Sequence, residues 1–247
     1  MTYRYCGRRV IRIAIVSPPA PRNPSSIPRT VPAPPARGPA AAQRPARALT
    51  REENARLLAA QNHRLAGRFP QAAEALAALA AAAPRHPAVV TEQVRLRLAQ
   101  DDLDGAVRLA RDGRAAQRDS VLVARELAYA LERLGRPAEA AGVVLEAWAA
   151  AAAVTDWAQG TLLRLAADDP RGTRERTRRL ARARPGRADF ALAAALLEWR
   201  TGDRRAALAG LDAADVPGGH GSLRWDFAEE LVEMESLGDS AAAIAAL

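Results

Sequence analysis

From Thr50 onward the apolar positions follow a helical rhythm rather than the two-residue period of strands. Leu76 and Leu79 recur at helical spacing, as do Val144 and Leu145 with Trp148, which sets each group on one helix face. Thr50 followed by Glu53 forms a capping box, where each side chain satisfies an amide left open at a helix start. A short punctuating pattern then returns along the chain. Gly67-Arg-Phe-Pro-Gln-Ala-Ala73 reappears as Asp101-Asp-Leu-Asp-Gly-Ala-Val107 and as Gly135-Arg-Pro-Ala-Glu-Ala-Ala141. It weakens to Asp168-Asp-Pro-Arg-Gly-Thr-Arg174, recovers as Gly202-Asp-Arg-Arg-Ala-Ala-Leu208 and ends as Gly238-Asp-Ser-Ala-Ala-Ala-Ile244.

The sixth positions of these copies are Ala72, Ala106, Ala140, Thr173, Ala207 and Ala243, at spacings of 34, 34, 33, 34 and 36. The pattern predicts a repeated helical hairpin. Gly or Asp ends the first helix by taking left-handed or turn geometry. Pro70, Pro137 and Pro170 fall in the first turn of the second helix, where a missing amide hydrogen costs nothing. The small sixth residue lets the paired helices approach closely. Pro84, Pro87, Pro185 and Pro217 mark the ends of second helices.

With these residues the chain resembles the tetratricopeptide repeat family, in its bacterial type, whose unit is a 34-residue helix–turn–helix. Ala60, Ala128 and Ala195 match the family's small eighth position, the six residues above its twentieth, Trp157 and Phe227 its bulky fourth, and Pro84 its terminal proline. The eleventh position departs from the family's Tyr, being His63, Arg97 and Leu131 in the first three copies, and Thr173 stands for Ala in the fourth. The resemblance implies an all-α fold, an α-solenoid of stacked hairpins over 48–247, with about five full repeats and a sixth cut short. A solenoid end needs a polar cap, which residues 241–247 supply poorly; the expectation is that this sequence is the N-terminal part of a longer repeat protein.

Composition supports the helical reading: alanine fills 61 positions and aromatics ten, and a sheet protein needs far more β-branched and aromatic residues. Charge divides the chain. Residues 1–50 hold nine arginines and no acid, whereas the remaining 197 hold 27 arginines against 28 acids. There is no lysine. Arg in place of every Lys suits bidentate phosphate contacts, but a GC-rich genome explains it with less. Ten of the seventeen prolines lie between Pro18 and Pro45, so 1–47 reads as a disordered Pro/Arg-rich tail, partly polyproline II in conformation. The stretch 10–16 is apolar but interrupted by Arg12. It is too short for an export signal and reads as a sticky segment or a start codon assigned too early. No apolar run is long enough to span a bilayer, and cytoplasm is the expected compartment.

Candidate chemistry is sparse. Cys6 stands alone, and His63, His86 and His220 lack partners at ligand spacing. Asp101, Asp102 and Asp104 sit at the repeat turn, and the glycine-dense stretch 218–221 lacks the strand and Lys-Ser/Thr of a phosphate loop. No catalytic set, cofactor or metal site is expected. In the resembled family the first helices line a concave groove. That implies a groove containing Gln61, Arg64, Arg95, Arg125, Tyr129, Glu132, Leu162, Leu196 and Trp199, polar in its first half and apolar in its second. Asn54, Thr91 and Leu192 are placed there as well. Such a groove suits a peptide with an acidic and an apolar part. The expected function is a non-enzymatic protein–protein interaction scaffold. The alternative is nucleic-acid or anion binding through the basic tail and a stripe of Arg174, Arg178 and Arg182, spaced i, i+4. The four tryptophans are expected in the core.

Overall fold

A computed structural model describes residues 47–215 and 221–234, all within one unit spanning 45–247. The tail with Cys6 and the stretch 10–16, residues 218–220 with His220, and the last repeat copy lie outside the described residues. Eleven α-helices run through the described chain: α1 Arg51–Leu65, α2 Phe69–Ala82, α3 Pro87–Ala99, α4 Leu103–Gln117, α5 Ala124–Arg133, α6 Pro137–Ala150, α7 Thr155–Asp168, α8 Pro170–Ala183, α9 Ala188–Arg200, α10 Arg204–Ala214 and α11 Ser222–Met234. A 3-10 turn, Ala152–Val154, precedes α7. No strand occurs among the described residues. From α1 to α10, each odd helix pairs with the even helix that follows it, and each later odd helix packs on the even one before it. This is an all-α solenoid of stacked helix–turn–helix units.

The repeat pattern translates directly into packing. Ala72, Ala106, Ala140 and Thr173 are fully buried and Ala207 nearly so, as are Ala60, Ala128 and Ala195 on the odd helices. At each crossing a small side chain meets its partner helix, and close-packed interiors leave no room for more. The turns also follow their residues. Gly67, Gly135 and Gly202 have φ of 70°, 69° and 87°, and Asp101 adopts 59° at the equivalent place. The next residue caps the even helix wherever it is acidic: Asp102 accepts from the Gly105 amide at 2.9 Å and Asp203 from the Ala206 amide at 3.1 Å. The fourth turn is shorter. Asp168 closes α7, Asp169 alone intervenes and caps the Gly172 amide at 2.9 Å, and Pro170 opens α8. One residue thus separates α7 from α8, where three separate the paired helices of the other hairpins from α1 to α10.

The junction after the third hairpin is built differently from the others. Elsewhere successive odd helices pack on each other, as α1 on α3, α3 on α5, α7 on α9 and α9 on α11; here the even helices α6 and α8 make the direct contact instead. The buried apolar side chains fall into three clusters along the stack. Leu57, Leu76 and Leu79 anchor the first hairpins. Trp148 and Phe190 meet edge to face at 4.6 Å in the middle, and Trp199 and Phe227 do so at 5.5 Å near the end. Trp148 donates from Nε1 to Thr155 Oγ1 at 2.9 Å, which satisfies its polar edge in the interior. Trp225 departs from expectation: it is 57% exposed and donates to Glu229 at 3.0 Å. No described helix is long and apolar enough to cross a membrane.

Candidate partner-binding face

The odd helices α1, α3, α5 and α7 are joined along one side by arginine–carboxylate pairs, one at each step. Arg64 on α1 donates from Nε to Glu92 on α3 at 2.5 Å. Arg95 on α3 donates from Nε to Glu126 on α5 at 2.9 Å. Arg164 on α7 grips Glu132 on α5 with two bonds of 2.7 and 2.8 Å. This fork holds the Glu132 carboxyl below its ordinary pKa, chiefly through the hydrogen bond from Arg164. Glu92 is only 1% exposed, so its pair is the desolvated rung of the ladder, and its Oε2 has no hydrogen-bond partner.

At the α5–α7 step long side chains bridge helices that approach each other less closely than the other successive odd helices do. The Arg125 guanidinium lies 5.4 Å from the Trp157 ring centre. Arg133 lies 5.8 Å from the Tyr129 ring, donates to the Tyr129 hydroxyl at 2.9 Å and reaches Asp101 at 3.0 Å. Tyr129 remains 46% exposed. The middle of the stack therefore presents one tyrosine, one tryptophan and several arginines side by side.

The expected groove residues divide into two sets. Gln61 and Arg64 are half-buried on α1, Arg95 is exposed on α3, and Arg125, Tyr129 and Glu132 reach the surface of α5. Leu162 and Leu196 are each 1% exposed and Trp199 is 8% exposed. These three are core residues, which corrects their assignment to an open apolar half-groove. The physical reason is that α9 packs directly on both α7 and α11, and apolar side chains between them are sealed from water. Asn54 bonds the Leu49 carbonyl instead of pointing to a ligand, and Thr91 bonds the Pro87 carbonyl.

The arginine stripe on α8 is likewise engaged. Arg174 lies 3.3 Å from Glu198 on α9 and donates to Thr201 Oγ1 at 3.0 Å. Arg178 bonds Glu175 and lies 3.6 Å from Glu198. Arg182 completes the stripe without an ion pair of that kind to Glu198. A row of free guanidiniums is thus replaced by two that lean onto one buried acid.

The carboxylates Glu92, Glu126 and Glu198 and the arginine Arg164 are not singled out by the sequence pattern. A signal exists all the same: the paired residues are 28, 31 and 32 positions apart, close to one repeat, and Glu92 and Glu126 are 34 apart. His86 caps α3, its Nδ1 accepting from the Ala88 amide at 3.2 Å. No group of three His, Cys, Asp or Glu side chains among the described residues could hold a metal ion.

No known family model matches the chain, and no curated protein matches it. Solved structures with a similar helical arrangement include MamA 41-end from Desulfovibrio magneticus RS-1, 15% identical with a TM-score of 0.45 over 68% of this chain and 95% of that one. A double mutant of the RS-1 MamA matches with the same identity and TM-score over 68% and 94%. MamA from AMB-1 is 17% identical with a TM-score of 0.43 over 75% and 94%. A likeness this remote says nothing about activity or partner.

Proposed function

We propose that the chain is a non-catalytic interaction scaffold whose odd helices bind a partner protein or peptide, with α5 and α7 at the centre of the contact. The observation behind this reading is the cluster of Arg125, Tyr129 and Arg133 at the surface beside the half-buried Trp157, ordered by its own stacking and hydrogen bonds. Tyr, Trp and Arg dominate the energetics of protein interfaces. Pre-ordering them reduces the entropy lost on binding. A peptide with carboxylates at its ends and an aromatic or aliphatic residue between them fits best. Its carboxylates pair with the exposed Arg95 and Arg125, and its apolar residue covers Tyr129 and Trp157. Gln61, Arg64 and Arg95 extend the contact along α1 and α3.

The nucleic-acid reading has less support, because Arg174 and Arg178 already face Glu198 and no aromatic interleaves the stripe to stack a base.

The test is selection from a random peptide display library on the full-length protein, repeated on the Arg125→Glu/Tyr129→Ala double variant. Acidic–aromatic peptides should be enriched by the first and bind the second at least about tenfold more weakly. No enrichment, or equal binding to both proteins, would sink the reading. A steep log–log loss of affinity for a random DNA duplex with salt, dependent on Arg182, would favour the alternative.

A further inference from the structure

On the other side of the stack, the even helices α8 and α10 stand apart over α9, and a cleft of about 490 Å³ lies between them. This is within the size range of small-ligand sites. Its walls are mostly methyl-sized, with Ala194 on α9 and Ala209, Gly210 and Ala213 on α10 among them. A Cβ added to Gly210 would meet nothing within 4 Å. Three charged side chains interrupt this apolar lining: Arg178 and Arg182 from α8, and Glu198 from α9. Glu198 is 3% exposed, yet neither of its carboxylate oxygens has a hydrogen-bond partner. Arg174 and Arg178, at 3.3 and 3.6 Å, offset its charge without closing on its lone pairs.

Elimination identifies the occupant. A cation would meet Glu198 but also three guanidiniums. An anion would be drawn to Arg182 but repelled by a buried carboxylate at the floor. What the floor lacks is a hydrogen-bond donor, and a buried acceptor left open is costly. Flat alanine walls admit a ring, and the rim arginines can lie over its faces. We infer that this cleft binds a neutral aromatic group carrying an N–H or O–H donor, an indole or a phenol, with the donor bonded to Glu198. The site is separate from the odd-helix face and stands or falls independently of it.

The experiment uses the full-length protein with labelled alanine methyls, titrated with indole, 1-methylindole and N-acetyltryptophanamide and read by NMR. Indole should saturate with shifts at Ala194, Ala209 and Ala213. Removing the donor in 1-methylindole should weaken binding about tenfold, as expected for a bond to a charged acceptor. The Gly210→Leu variant, which fills the cleft and keeps Glu198, should abolish binding; its circular dichroism shows whether the helices are intact. If Gly210→Leu misfolds, Ala213→Val provides a milder filling with the same expected loss. Binding of N-acetyltryptophanamide alongside indole assigns the site to a side chain on a partner peptide. Binding of indole alone assigns it to a free aromatic, and either supports the inference. Absence of saturation, equal affinity for indole and 1-methylindole, or unchanged binding in a folded filled variant overturns it.

Discussion

Glu92 and Glu198 are both buried acids on odd helices, and the two regions around them solve the same electrostatic problem differently. Around Glu92 one guanidinium closes on one oxygen at 2.5 Å, and α1 and α3 pack directly. Around Glu198 two guanidiniums stay at 3.3 and 3.6 Å, and a cleft lies beside them. A short charge-assisted bond in a dry contact fixes two helices in register. Two looser ones neutralise charge while leaving acceptors available. The first arrangement is structural; the second is the kind of local imperfection that binding sites are made from.

The sharpest way to break this comparison is to remove one arginine from each side. Arg64→Ala strands Glu92 without its partner and should cost about 3 kcal/mol, the scale of a broken buried pair. Arg174→Ala leaves Arg178 beside Glu198 and should cost about 1 kcal/mol. Urea unfolding of both variants decides it: equal losses would mean the two acids are held alike. Packing offers the next contrast. Ala140→Leu forces a larger side chain into a fully buried helix crossing and should cost about 2 kcal/mol. Gly210→Leu enters open space and should leave the thermal midpoint almost unchanged.

The last contrast is a pH dependence at the start of the stack. Arg47 bonds both oxygens of Glu53, at 2.7 and 2.5 Å, and the Thr50 amide adds a third bond at 2.8 Å. Together, with the Arg47 bond foremost, they pull the Glu53 pKa from the usual 4.5 to about 2. A depressed carboxyl stabilises the fold above its unfolded pKa and loses that contribution as pH falls through the folded value. The full-length protein should therefore lose stability between about pH 5 and pH 2, and Arg47→Ala should flatten that loss. Parallel pH–stability curves for the two proteins would rule the pair out.

Much of this architecture is legible in the amino-acid sequence, because a repeat states each packing rule several times. The small sixth residues from Ala72 to Ala207, the glycine turns and the capping box at Thr50 all occupy their expected places; Thr50 Oγ1 accepts from the Glu53 amide at 3.2 Å. The site is less legible, for two reasons. Within a single repeat Arg64, Arg95 and Glu132 look free, because the partner of each long charged side chain sits on the neighbouring repeat. Equivalent register also does not mean equivalent exposure. Tyr129 and Leu196 hold the same place in their repeats, yet one is 46% exposed and the other 1%, because α9 packs closely on both its odd neighbours and α5 approaches α7 less closely.

The short turn at Asp169 reaches further than its own loop. Next to it the stack exchanges one kind of neighbour contact for another, so the chain resembles two runs of bricks meeting at a mortar line of different composition. Cooperativity in a one-dimensional array depends on its weakest coupling. One cluster of buried side chains nevertheless runs from α3 to α9 across this line, so a pulling force or a rise in temperature should part the array toward its ends first and leave the middle hairpins folded. Hydrogen exchange slowest from α5 to α8 and faster toward either end would record that continuity, and an abrupt change of rate at residues 151–155 would contradict it.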